Sequence, residues 1–256
     1  MSREHVLVTG AAGLIGGILF KALSDEYTVH GLDAVAGPGV EWVADMTNLA
    51  EIQSAFDGMS AVLDLAANSS LSASWETVRE NNIPATMNAF EAARRAGVRR
   101  VVFASSNHVV GMYEREEPYA SVVEGEFDGL DPEELPRLAV DVPIRPDSAY
   151  GVGKVFGEAV GRYYAEEHEM SVSCLRIGTV DRANRPETRR HFATLLTHRD
   201  LVHLVRCCLT APPSLGGFTI HYGVSANTWR IWDIDDARTS VGYTPEDDAE
   251  QFRASA

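Results

Sequence analysis

The sequence predicts an α/β fold built on a doubly wound parallel sheet, and three observations carry that reading. Short apolar, β-branched runs alternate with helical patterns along most of the chain, the order that covers both faces of one parallel sheet with helices. The first run, His5–Thr9, opens directly into Gly10-Ala-Ala-Gly13-Leu-Ile-Gly16 and then into a helical pattern through about Leu23. The 256 residues are 45% hydrophobic and 23% charged, a composition that supports one sizeable core. We expect a single domain over 1–256, with about 179–256 adding a small C-terminal substrate lobe.

Taken in order, His5–Thr9 fits a buried parallel strand. In the turn after it, Gly10 permits a tight bend, Gly13 lets backbone approach a pyrophosphate, and Gly16 lets helix and strand pack closely. The diphosphate then sits on the helix N-terminus. Strand, glycine turn and helix together are the context that the dinucleotide-binding (Rossmann) fingerprint demands, and Ala12, Leu14 and Ile15 belong to the same cradle. The second strand, Tyr27–Leu32, ends in Asp33, whose carboxylate can accept from both ribose hydroxyls and would repel a 2′-phosphate. This favours NAD over NADP. Glu41-Trp-Val-Ala-Asp45-Met46 reads as a strand end bringing Asp45 and Met46 to the adenine, while Asp45 equally fits a cap for a helix from about Leu49.

Ala61–Ala67 is a fourth strand whose small end, Leu65-Ala66-Ala67, leaves room for a cofactor across the strand ends. The polar stretch Asn68–Ser74, with Ser69, reads as a substrate loop. A helix follows over about Trp75–Ala96; it contains Asn82, a further candidate cofactor contact, and Pro84, which should bend it or mark a new first turn. Arg99–Ala104 is the fifth strand and runs into Ser105-Ser106-Asn107-His108. So many polar groups belong at the mouth of a sheet, where open α/β folds bind ligands. From Met112 to Pro146 prolines at 118, 132, 136, 143 and 146 interrupt any period, and only Pro132-Glu-Glu-Leu suggests a helical turn. A long loop or lid is expected there.

Ser148 to about His168 is a long helix that carries Tyr150 and Lys154. Residues four apart share a helix face, roughly 5–6 Å between Cβ atoms, and a neighbouring cation favours a phenolate. Lys21 and Lys154 are the only lysines, so the second has a particular reason to stand where it does. Ser171–Gly178 is a sixth strand; Ile177 falls at its cofactor end, and Arg176 is expected to pair with an internal carboxylate. Arg182–His191 is rich in arginine and turn formers, Asp200 reads as the cap of a helix to Leu209, Gly217–Gly223 as a strand, and Trp232–Gly242 as a short helix.

Charge and cysteine use narrow the function further. A net charge of −15 and a pI near 4.9 argue against nucleic-acid and anionic-membrane partners, which need a cationic surface. The acidic excess fits a salt-rich cytoplasm or an ordinary solubilising surface. Cys207 and Cys208 are adjacent and Cys174 sits in an apolar run, so neither a disulfide framework nor a metal spacing is present. With no signal peptide and no apolar run near 18 residues, a cytoplasmic location is expected.

Thr9-Gly10-x-x-Gly13-x-x-Gly16, Asp33, Ser106 and Tyr150-x-x-x-Lys154, in that order, resemble the extended short-chain dehydrogenase/reductase superfamily, also called the NAD-dependent epimerase/dehydratase family. The resemblance implies an enzyme in which Ser106 and Tyr150 hold the reacting oxygen, Lys154 binds the nicotinamide ribose and tunes Tyr150, and hydride passes between substrate carbon and NAD. Ala104–Gly111, Arg145–Gly151, Leu175–Gly178, Tyr222–Asn227 and Gly242–Asp247 are similar to the uronate dehydrogenases and to related archaeal sugar-phosphate dehydrogenases. That likeness implies oxidation of glucuronate or galacturonate at the anomeric carbon to an aldarolactone. Ser69, Ser106, Asn107 and Tyr150 would hold the sugar, and Arg190 would clamp its carboxylate. His108 either touches the sugar or is a structural imidazole. A dehydrogenase of glucose 6-phosphate, held by the arginines, or of another aldose is an alternative. A nucleotide-sugar epimerase finds little room after Gly178, and the intact Ser, Tyr and Lys argue against a non-catalytic NAD-binding regulator. A homo-oligomer is expected from the family, and no metal. The departures are Gly153 in place of Ser or Thr, Leu195 in place of an aromatic, and the longer Met112–Pro146 segment.

Overall fold

In the computed structural model, which describes residues 3–212 and 217–255, the β-branched runs pair into one parallel sheet of seven strands. These are β1 (His5–Thr9), β2 (Thr28–Asp33), β3 (Trp42–Val43), β4 (Ala61–Asp64), β5 (Arg100–Ser106), β6 (Ser171–Ile177) and β7 (Phe218–Gly223), in the order β3-β2-β1-β4-β5-β6-β7. The chain therefore winds outward from β1 on one side, then returns to β4 on the other. The gap between the ends of β1 and β4 is the switch point where open α/β sheets bind ligands.

The helices are α1 (Leu14–Leu23), α2 (Leu49–Ile52), α3 (Trp75–Thr77), α4 (Ile83–Arg95), α5 (Tyr119–Glu124), α6 (Ala149–His168), α7 (His191–Thr194), α8 (His198–Thr210) and α9 (Asp235–Val241). Alternate strand residues divide the core between two faces, as a two-residue period requires. Leu7, Val62, Val101, Phe103, Val172 and Cys174 meet α4 and α6 on one face. Val6, Val8, Leu63, Val102 and Leu175 meet α1 and α8 on the other. The doubly wound parallel sheet is thus observed.

Several local readings need correction. Met112–Pro146 is not a free loop: α5 and Leu135 and Leu138 pack with Tyr222, Trp232 and Ile234 in a third apolar cluster, and Leu138 exchanges backbone bonds with Ile231 and Asp233 at 2.8 and 2.9 Å. Its apolar residues follow no period because their partners lie far along the chain. The turn suggested at Pro132-Glu-Glu-Leu is present, with Glu134 N–H donating to the Asp131 carbonyl at 3.1 Å. β4 stops at Asp64, three residues early, whereas β5 runs on through Ser105 and Ser106, which are buried. Ser105 tolerates this because its Oγ donates to Glu158 at 2.6 Å. The 75–96 helix contains a π turn at Val78–Asn82, and Pro84 follows it at the second position of α4, where such a local widening accommodates it. Asn48, not Asp45, caps α2. Thr197, not Asp200, caps α8; the Asp200 carboxylate instead accepts from the Glu246 and Asp247 N–H groups.

Arg176 pairs with an internal carboxylate as expected, donating from Nε and Nη2 to Glu158 at 2.9 Å each. The three cysteines are free, and burial pushes the Cys174 thiol well up. Among the described residues no helix is long and apolar enough to cross a membrane.

Candidate active site

A cleft of about 670 Å³ opens across the C-terminal ends of the strands. It is lined by every residue expected at the cofactor or substrate except Ala12. At its floor, Gly10 adopts a φ of +67° against the backbone of Ala66, a conformation glycine reaches without strain. A Cβ on Gly16 would run into the Gly10 carbonyl. Gly13 precedes α1 in extended conformation, with neither a side-chain cap nor an acidic residue in the first turn. The first N–H groups of α1 and its positive dipole end are therefore available to an anion. Thr9 ties the two strand ends together: its Oγ1 donates to Asp64 at 2.7 Å and accepts from Leu65 and Ala66 N–H.

Ala12 has a different role from the one expected. It does not line the cleft; its N–H donates to Asp33 Oδ2 at 2.9 Å and, with Val35 N–H on Oδ1, fixes that carboxylate at the end of β2. Asp45 and Met46 line the same end, and Asp45 Oδ1 accepts from Thr47 N–H at 2.8 Å. The glycine cradle, open helix end and anchored Asp33 together fit a dinucleotide with a free ribose diol. Asn82 lines the cleft and also clamps the loop bearing Ser69, accepting from Asn68 N–H at 2.9 Å and donating to its carbonyl at 3.0 Å.

The side expected to carry the chemistry is assembled from β5 and α6. Ser106 ends β5, and its Oγ accepts from His108 N–H at 3.2 Å. Ser148 caps α6 by accepting from Gly151 N–H at 3.0 Å, which sets Tyr150 in the first turn and Lys154 one turn on. Both side chains are nearly enclosed, at 8% and 5% exposure. Lys154 Nζ lies 4.8 Å from the Phe103 ring centre and 5.7 Å from that of Tyr150, distances at which an ammonium is attracted to an aromatic face. Gly157 makes this possible, because a Cβ there would collide with Phe103 and push α6 off the sheet. The Gly153 departure has a similar cause, since a Cβ would stand 2.9 Å from Val78 Cγ1.

On the side where a substrate is expected, His108 is an anchored imidazole: its Nδ1 bonds to Asp147 at 2.7 Å while its ring lines the cleft. Burial would raise the Asp147 carboxyl, yet the bond to His108 and its charge hold it below the usual range. Arg190 lines the cleft as expected. Its Nε and Nη2, however, donate to Glu114 at 2.6 and 2.7 Å. The Asn107 amide is satisfied on both sides when its nitrogen donates to the Ile177 carbonyl and its oxygen accepts from Arg190 Nη2. Nη1 donates to Thr179 Oγ1 at 3.4 Å and keeps one further N–H. Sequence reasoning missed Glu114, Asp147 and Thr179. Glu114 lay in a segment read as a loop, and a charge partner so distant leaves no local signal. Arg182, Arg185 and Arg189 are exposed and do not line the cleft, and Leu195 is buried with Phe192 and Ala249 away from it.

Comparison with known proteins agrees with this architecture. Residues 6–206 match the model of the NAD dependent epimerase/dehydratase family. The chain is 36% identical to an NAD-dependent glucose-6-phosphate dehydrogenase of Haloferax volcanii, over 97% of this chain and 95% of that protein. It is 34% identical to an L-arabinose 1-dehydrogenase (NAD(P)(+)) of the same organism, over 96% and 97%. The crystal structure of uronate dehydrogenase from Agrobacterium tumefaciens superposes with a TM-score of 0.84 at 31% identity, covering 100% of this chain and 89% of that one. Matched by the family model over most of its length, and by these relatives nearly end to end, the chain belongs to the NAD-dependent epimerase/dehydratase family.

Proposed function

We propose that this protein is a sugar dehydrogenase that oxidises the anomeric carbon of a cyclic aldose derivative, with Tyr150 as base. The observation that carries the reading is the convergence of Ser106, Tyr150 and Lys154 on the cleft that also holds the glycine turn and Asp33. NAD, bound there, supplies the hydride acceptor. Opening a hemiacetal C–H bond requires the hydroxyl proton to leave, so a base must stand within roughly 2.6–3.2 Å of that oxygen. The Tyr150 phenol takes the proton, the Ser106 hydroxyl is the second hydrogen-bond partner, and the enclosed Lys154 ammonium stabilises the phenolate. The glycine cradle and anchored Asp33 hold the diphosphate and ribose, and the Asn82-clamped loop brings Ser69 to the sugar.

The hexuronate expected from the sequence would place its carboxylate on Arg190, and the likeness to uronate dehydrogenases supports it. A neutral aldose is favoured by a specific observation: the Nε/Nη2 edge of Arg190 already holds Glu114. We adopt the neutral aldose. The likeness to a glucose-6-phosphate dehydrogenase gains less support from the cleft, because among the described residues Arg190 is its only arginine.

The test is NADH formation across aldoses, uronates and sugar phosphates at low and high salt. Turnover of at least one aldose derivative is expected, and Tyr150→Phe should lower it by roughly 10²–10⁴-fold, about 3–5 kcal/mol of barrier. No NADH with any sugar would overturn the reading, and undiminished turnover by the variant would remove Tyr150 from it.

A further inference from the structure

Glu114 comes from the 3₁₀ turn Gly111–Arg115, and Arg190 immediately precedes α7. The third apolar cluster brings the two together across 76 residues of sequence. Their side chains are only 13% and 28% exposed, so the pair is shielded far more than a surface ion pair. Two parallel bonds to a carboxylate are the strongest arrangement a guanidinium forms. Here an internal carboxylate already provides it. An anionic substrate arriving at Arg190 meets a neutralised cation, an occupied fork edge and a like charge directly behind it. It would have to displace Glu114 from a partly desolvated position or accept a single donor, Nη1. A sugar hydroxyl faces neither difficulty. It needs one donor and offers one of its own: Nη1, which already donates to Thr179 Oγ1 at 3.4 Å, has a second N–H, and Thr179 Oγ1, which also shares a 2.8 Å bond with Thr194 Oγ1, keeps one lone pair.

We propose that Glu114 sets the charge preference of the sugar site, making the protein select a neutral aldose over a uronate or a sugar phosphate. The proposal rests on the anomeric-oxidation reading above. Glu114 does not line the cleft and acts through Arg190, so it is a positioning residue. Glu114→Gln keeps the shape and an acceptor for the arginine but removes the competing charge, and Glu114→Asp keeps the charge.

The experiment compares kcat and KM of wild type, Glu114→Gln and Glu114→Asp with glucose, galactose, xylose and arabinose against glucuronate, galacturonate and glucose 6-phosphate. Wild type should show a lower KM for a neutral sugar than for its uronate. In Glu114→Gln the KM ratio should shift toward the anions by about tenfold, the scale of one unscreened charge at a partly exposed site. The shift should fall in KM more than in kcat, and Glu114→Asp should keep the wild-type order. A merely structural role would lower kcat for all sugars alike and leave the ratio in place. Turnover with an unmoved ratio would overturn the Glu114 assignment alone, whereas no NADH with any sugar would remove the anomeric reading and this proposal with it. If Glu114→Gln does not fold, the wild-type ratio decides, and preference for a uronate over its hexose overturns the proposal.

Discussion

At the scale of single residues, Asp64 shows how a strand end beside the site is tuned. It closes β4 at 2% exposure; Oδ1 accepts from Thr9, and Oδ2 has no protein partner among the described residues. Burial raises its carboxyl to about 6 from 3.8, against the opposing bond from Thr9 and the charge of Lys154. A carboxyl whose folded value lies above its unfolded one binds its proton more tightly in the native state. Its contribution to stability therefore declines as pH rises from about 4 to about 6, leaving a constant penalty above that range. Asp64→Asn should accordingly stabilise the fold at about pH 7.5, by on the order of 1–3 kcal/mol, and change it little near pH 4. Urea midpoints at the two pH values check this, and a variant less stable than wild type at the higher pH would refute it. Asp64 pairs in register with Phe103, whose ring centre lies 4.8 Å from Lys154 Nζ, and the charge of that ammonium acts on its carboxyl.

At the scale of elements, α6 is held to the sheet by a buried polar knot. Glu158 accepts from Arg176 on β6 and from Ser105 on β5, and the two charged side chains are 5% and 2% exposed. Removing one member of such a pair strands the other. Glu158→Ala is expected to cost about 3–5 kcal/mol, whereas the double change Glu158→Leu with Arg176→Met should recover most of it. Denaturant unfolding distinguishes these outcomes, and a single variant within about 1 kcal/mol of wild type would show that the knot is not structural. Because Ser105 adjoins Ser106 while Tyr150 and Lys154 precede Glu158 on α6, the same knot fixes the strand and the helix that bring Ser106, Tyr150 and Lys154 to the cleft. The Arg176 pairing was legible in the sequence, since an arginine inside an apolar strand must find an anion. Its partner was not, because nothing local distinguishes Glu158 from the other acids of α6.

At the scale of the whole molecule, 37 acidic against 22 basic residues leave a net charge of −15, and such an excess opposes the compact state through self-repulsion. Raising NaCl from 0.1 to 1 M shortens the screening length from about 10 to about 3 Å, so the thermal midpoint should rise with salt. A flat or falling midpoint would show that the acids are already neutralised by local pairs. The order of strands and helices, the glycine turn with Asp33 after it, and Tyr150 one turn before Lys154 were all determined by the sequence alone. Each is written in a local period or a short spacing, and backbone geometry converts such patterns directly into position. Only the tertiary structure decided that Met112–Pro146 is packed rather than free, that His108 is held by Asp147, and that Arg190 reaches the cleft with Glu114 already on its fork. Those outcomes depend on which apolar and charged groups meet across dozens of residues, and burial chooses the partners where no sequence interval records them.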